Sequence, residues 1–113
     1  MRRGEVWLIN LDPTVGSEIK KTHPAVIVND DAIGILPLRV IVPITAWQER
    51  YAGAPWMVRL EPDTANGLDK PSAADAFQVR SVAHIRFVRH LGNISAQALQ
   101  DITRALATVL SIS

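Results

Sequence analysis

A chain of 113 residues suffices for one domain, spanning 1–113, and is too short for two independent cores. Its 48% hydrophobic and 20% charged residues are a globular composition, not a disordered one. Lys+Arg 12 against Asp+Glu 11 leaves a formal net charge of +1, which excludes a broadly basic field and confines any nucleic-acid site to a local patch.

The absence of cysteine excludes disulfides and thiolate chemistry and suits a reducing cytoplasm. The opening Met1-Arg2-Arg3-Gly4-Glu5 lacks the apolar segment of a signal peptide, and no stretch approaches the roughly 18 apolar residues of a membrane span. The chain therefore reads as cytoplasmic, with no membrane partner.

In chain order, Glu5 to Leu11 is apolar at nearly every position and predicts a strand buried on both faces. Asp12-Pro13 stops it, and Thr14 to Thr22 reads as a loop. Pro24 opens a second strand over Ala25 to Val28, ended by Asn29-Asp30-Asp31. Leu38 to Val42 is a third strand, finishing near Pro43-Ile44-Thr45. Trp56 to Leu60 alternates as a fourth, and Glu61 to Pro71, with two prolines and Gly67, is the longest loop. Weaker strand signals cover Ala76 to Val82 and Ile85 to Leu91. Ser95 is a suitable N-cap for an amphipathic helix from about Ala96 to Ser111, with Leu99, Ile102, Leu106, Val109 and Leu110 at helical spacing. Short strands closed by one helix predict a small β-barrel with a packed C-terminal helix.

Three clusters carry possible chemistry. Gly16 to Pro24 gathers Ser17, Glu18, Lys20, Lys21, Thr22 and His23 in what reads as a polar loop. Gly- and Ser-rich turns present N–H groups to anions, lysine adds point charge, and the proline after His23 restricts its backbone. The competing reading is a solvated loop. Thr45 places a hydroxyl at a strand end, where ligands find concave surface, or where it merely bonds local backbone. Gln78 to Val82 alternates polar residues on one face, and Arg80 is suited to pairing with Asp75 or to holding phosphate.

Other chemistry finds no support. His84 and His90 lack a third ligand for zinc, Asp30-Asp31 lacks a calcium ladder, and no glycine-rich phosphate loop, nucleophile elbow or catalytic cysteine is present. No cofactor is called for. Trp47 and Trp56 are available for stacking on bases, while Trp7 belongs to the buried first strand.

Taken as an ordered series, Arg3-Gly4-Glu5-Val6-Trp7-Leu8-Ile9-Asn10-Leu11-Asp12-Pro13, Gly16-Ser17-Glu18 and His23-Pro24-Ala25-Val26-Ile27-Val28 resemble the opening of the MazF/PemK toxin family, which runs RGDVWLVNLDP, GSE, (K/R)xRPAVVV. The resemblance continues through Val40 to Thr45 and Gln78 to Val82 into the terminal helix. It implies a homodimer of SH3-like, CcdB/PemK-type barrels that cleaves single-stranded RNA without a metal. The substrate's 2′-hydroxyl would attack the adjacent phosphorus and leave a 2′,3′-cyclic phosphate. It also implies a cognate antitoxin, with operator DNA reached only through that antitoxin. On this resemblance the catalytic candidates are His23, Thr45 and Glu18, and the RNA-binding ones Ser17, Lys20, Lys21, Gln78 and Arg80.

One departure stands out. His23 occupies the position where the family usually has arginine, so a permanently charged planar fork is replaced by a shorter ring that is partly neutral near pH 7. Either His23 acts as a general acid or base with Lys20 or Lys21 carrying the phosphate charge, or phosphate holding is weakened. In the second case the chain is an RNA- or antitoxin-binding barrel of low activity. A third option is a gyrase-directed toxin on the same barrel.

Overall fold

The structure is a computed structural model that describes residues 1–33 and 36–112. Its strands are β1 (Glu5–Asn10), β2 (Thr22–Ile27), β3 (Leu38–Ala46), β4 (Met57–Leu60), β5 (Ser72–Asp75), β6 (Arg80–Ala83) and β7 (Phe87–Asn93), followed by helix α1 (Ala96–Leu110). All pair antiparallel in the order β4-β5-β3-β2-β1-β7, with β6 added beside β3. Among the described residues β4 and β7 do not pair with each other. The expected mainly-β architecture with a C-terminal helix is present, as an open folded sheet rather than a closed barrel.

The central strands bury both faces, as their continuous apolar runs imply. Val6, Val26, Val42 and Ile44 point into one core, which also takes Leu60, Leu68, Ala74 and Ile102. The alternate residues Ile9, Leu11, Ala25, Ile27 and Ile41 build a second core with Val82. Helix α1 covers the first. Ser95 accepts the Ala98 N–H at 3.1 Å as its N-cap, and Ile102 and Ala105 are its buried positions.

β3 organises the sheet because it changes partner along its length. On one edge it pairs with β6 through Ile41↔Arg80 and with β5 from Ile44↔Ala74 onward. Pro43 falls between these two partners, where its missing N–H leaves no ladder bond unmade. The strand therefore runs through the proline to Ala46, one residue beyond the expected end near Pro43-Ile44-Thr45.

Two expectations are corrected. β5 was unmarked because Ser72-Ala73-Ala74-Asp75 contains no β-branched or aromatic residue, yet all four are buried. The strand expected over Ala76 to Val82 is divided into a 3-10 turn at Ala76–Gln78, capped by Asp75 accepting the Phe77 N–H, and then β6.

The long loop 61–71 is tightly held. Asn66, buried, accepts N–H bonds from Asp63 (3.1 Å) and Leu68 (2.9 Å) and donates to the Glu61 carbonyl (2.8 Å). Gly67 has φ +69° and lies so close to β7 that a Cβ would overlap the Leu91 carbonyl. The Asn93 N–H donates to the Ala65 carbonyl at 2.7 Å, fixing the loop along that strand.

The start of β1 is tied to β7 through Glu5. Its carboxylate accepts from the Trp7 indole at 2.8 Å and lies 3.5 Å from the Met1 ammonium and 4.0 Å from His90 Nε2. His90 stacks on Trp7, with ring centroids 5.1 Å apart. Burial works to raise the Glu5 pKa. The indole bond, the Arg2 backbone bond and the nearby positive charges outweigh it and hold the carboxyl below its ordinary 4.5.

Two expected outcomes follow from this packing. Gly67→Ala combines a left-handed φ with a backbone overlap, so it lowers unfolding stability by more than about 1 kcal/mol in denaturant titrations. Glu5→Gln is less stable than wild type at neutral pH. Because the folded carboxyl titrates below the unfolded one, that difference shrinks as pH falls below 4.5 and through the lower folded value. Melting temperatures of both proteins from pH 7 to pH 3 check the sign.

Candidate active site

His23 and Pro24 lie inside β2, not in a loop before it. The β2–β3 register ends at Ala25↔Pro43; carried on by one step it would face Pro24 with Ile44, and by two His23 with Thr45. The Val28 N–H donates to the Val40 carbonyl at 2.9 Å, so alternate pairs along this ladder carry the hydrogen bonds, and by that alternation Pro24–Ile44 would be the next after Val26–Val42. Proline has no N–H to donate. His23 Nδ1 stands in for it, 3.3 Å from the Ile44 oxygen. A carbonyl only accepts, so this contact places the hydrogen on Nδ1 and leaves Nε2 as the ring's open nitrogen.

Half-buried His23 and Thr45 line one cleft of ≈ 390 Å³ at the end of the sheet. Lys70, Arg89, Asp69 and Ser72 share it, and none of these was singled out from sequence. Lys70 sits in a stretch that reads only as loop. Arg89 reaches the cleft because β7 lies beside β1, with Leu8↔Arg89 in register, and that neighbour relation is invisible without the sheet order.

A second groove, ≈ 560 Å³, brings together Ser17, Glu18, Gln78 and Arg80 with Val15 and Phe77. It includes Pro43, the residue that precedes Ile44 and Thr45 of the cleft along β3. Glu18 turns back on its own loop and accepts the Val15 N–H at 2.6 Å. Gln78 pins that loop from the 3-10 turn, accepting the Ile19 N–H at 2.6 Å while donating to Asp75 Oδ2 at 3.1 Å. Burial pushes the Asp75 carboxyl above its ordinary value despite the bonds it accepts from Phe77 and Gln78. Arg80 does not pair with Asp75; it donates to the Leu11 carbonyl at 3.2 Å. Lys20 and Lys21 are exposed and line neither concavity. Exposed Trp56 packs edge-on against Phe77 at the rim of the groove, whereas Trp47 lies under Arg59.

A family model described as PemK-like, MazF-like toxin of type II toxin–antitoxin system matches residues 2–110. The chain belongs to this toxin family. It is similar to Endoribonuclease MazF9 of Mycobacterium tuberculosis, 36% identical over 99% of this chain and 98% of the relative. It is 29% identical to Endoribonuclease PemK of Escherichia coli, over 98% of this chain and 83% of the relative. Its fold matches a mycobacterial endoribonuclease solved in complex with its cognate antitoxin, with TM-score 0.80, 21% identity and coverage of 100% and 97%. MazF from Deinococcus radiodurans gives TM-score 0.80 at 23% identity, covering 99% and 97%.

The loop 15–19 depends on Gln78 for its position. In Gln78→Ala the Ile19 amide loses its acceptor, so its hydrogen exchange accelerates by about fivefold, for one lost bond of about 1 kcal/mol. Amides of β2 and β3 keep their protection in the same measurement.

Proposed function

We propose that the chain is an endoribonuclease toxin that cleaves single-stranded RNA without a metal and is neutralised by an antitoxin. The observation that carries this reading is the His23 ring. Its Nδ1 is anchored on Ile44, which leaves Nε2 free, and the residue lines one cleft with Thr45. In the reaction the 2′-oxygen forms a bond to the adjacent phosphorus and the bond from phosphorus to the 5′-oxygen breaks. The products are a 2′,3′-cyclic phosphate and a 5′-hydroxyl. The 2′-hydroxyl proton must pass to a base and the departing 5′-oxygen must gain a proton. A neutral imidazole Nε2 serves the first transfer and a charged one the second, each worth about 10²–10⁴-fold. The nucleophile belongs to the substrate, so no metal-activated water is required.

Thr45 is suited to donating its hydroxyl to a phosphorane oxygen. The neighbouring groove, with Ser17, Glu18, Gln78 and Arg80, is suited to flanking nucleotides, whose splayed bases set sequence preference. The mycobacterial relative was solved with its antitoxin, and a MazE–MazF complex is known from Deinococcus radiodurans. By the same reasoning we assign this chain a cognate antitoxin, a homodimeric state and a cytoplasmic site of action. Among the described residues no helix is long and apolar enough to cross a membrane.

The replacement of arginine by His23 supports a second reading, a module that holds RNA or antitoxin without cutting. Cleavage of single-stranded RNA in EDTA with cyclic-phosphate products is the expected result, and His23→Ala and Thr45→Ala each lower the rate by about 10²-fold or more at unchanged melting temperature. Full activity in both variants would remove these residues from the chemistry. RNA binding without cleavage, converted to cleavage by His23→Arg, would establish the second reading.

A further inference from the structure

We infer that Arg89 and Lys70 form the phosphate-holding pair of this cleft, supplying from its two flanks the charge that the family resemblance assigns to an arginine at position 23. The inference rests on the endoribonuclease reading only for the identity of the phosphate, not for the existence of an anion site.

The sheet order explains how the two cations come together. Leu8 pairs with Pro24 on one side and with Arg89 on the other, so the three share one face, with Arg89 two strand spacings, about 10 Å, from the Pro24 backbone. From the opposite flank Lys70 leads into β5, whose Ser72 pairs with Ala46, next to Thr45. The loop carrying Lys70 folds back across the cleft until Gly67 touches Leu91, which is two residues along β7 from Arg89. His23 and Thr45 thus lie between a guanidinium on β7 and an ammonium on the 61–71 loop.

Arg89 is also the one arginine without an assigned task among the described residues. Arg3, Arg39, Arg80 and Arg86 donate to backbone carbonyls. Arg2, Arg59 and Arg104 face carboxylates, and Arg50 lies over the Tyr51 ring. Among the described residues Arg89 has no carboxylate, carbonyl, hydroxyl or ring partner, and it is exposed. Asp69 lines the same cleft but forms no ion pair with Arg89 or Lys70. An unpaired guanidinium lining the cleft of His23 and Thr45 is a fork awaiting an oxyanion, and Lys70 adds a point charge to the same cleft.

The test compares wild type, Arg89→Ala, Arg89→Lys, Lys70→Ala and the double variant Arg89→Ala/His23→Arg. Each is assayed on a mixed-sequence single-stranded RNA and titrated, over a range of salt, with the same RNA carrying 2′-O-methyl groups that block cleavage. Arg89→Ala is expected to lose about 10- to 100-fold in kcat/KM, the worth of a charge-assisted bond to phosphate. Its binding should lose about 0.7 from the slope of log affinity against log salt, the share of one phosphate contact. Arg89→Lys keeps the slope but recovers only part of the rate, and arginine at position 23 restores the salt slope of the double variant but not its cleavage rate, because arginine cannot take over the proton transfers of His23.

Arg89→Ala with wild-type rate and slope at an unchanged melting temperature overturns the assignment. Loss of slope with no recovery by His23→Arg overturns the exchange of roles between positions 23 and 89. If wild type binds RNA with an Arg89-dependent slope but cuts none, the endoribonuclease reading fails and the phosphate site stands. Neither binding nor cleavage by wild type removes both.

Discussion

The β2–β3 ladder runs out of donors at Pro24, and an imidazole takes over. This substitution of a side chain for a backbone N–H is the constraint on which the cleft depends. It holds His23 at a strand end, sets the tautomer of its ring, and keeps it next to Thr45, the residue it would face if the ladder continued. An arginine at the same position also carries donors, but it offers no acceptor nitrogen. Of the two residues only histidine can both complete the sheet and exchange a proton, so the departure from the family pattern changes the kind of chemistry available at one point without opening the fold.

β3 transmits that local arrangement to the rest of the molecule. Its change of partner from β6 to β5 creates the interval occupied by Pro43, which lines the groove, while the next two residues of the strand, Ile44 and Thr45, line the cleft. Each concavity is bounded by a loop without regular structure, and each loop is held by a carboxamide. Asn66 serves 61–71 and Gln78 serves 15–19. A carboxamide suits this work because it donates and accepts at once, satisfying backbone groups that turn in opposite senses. The walls of the site are therefore fixed by hydrogen bonds while its floor is fixed by burial in the two cores.

Much of this was readable beforehand where hydrophobic period and capping speak clearly. The terminal helix, its Ser95 cap, the doubly buried first strand and the long loop after Leu60 all appear where the residue pattern puts them. What was unreadable depends on long-range neighbours. β5 is made of small residues whose burial comes from the strands on either side. Gln78 looks like part of an alternating strand, but Asp75 caps a turn there instead. Ser17, Glu18, Lys20, Lys21 and His23 are close in sequence and read as one cluster, yet β2 begins at Thr22 and carries His23 away from the others. Arg89 and Lys70 are the converse case, distant in sequence and brought to one cleft by strand order and by the close approach of Gly67 to Leu91.

Net charge misleads for a related reason. A formal charge of +1 argues against a polyanion partner only if the cations are evenly available, and here they are not. Arg80 and Arg86 bind the carbonyls of Leu11, Asn10 and Asp12, where β1 gives way to the loop that walls the second groove, and Arg3 bridges the Val28 carbonyl to Thr103 on the helix. These guanidinium groups act as backbone caps at strand ends and contribute little outward field in any fixed direction. The charge left for a ligand in the cleft is Arg89 with Lys70, while Lys20 and Lys21 stay outside both concavities. A balanced chain can therefore present a basic cleft, provided its arginines are divided between holding the sheet and facing the solvent, and the division is set by strand order rather than by composition.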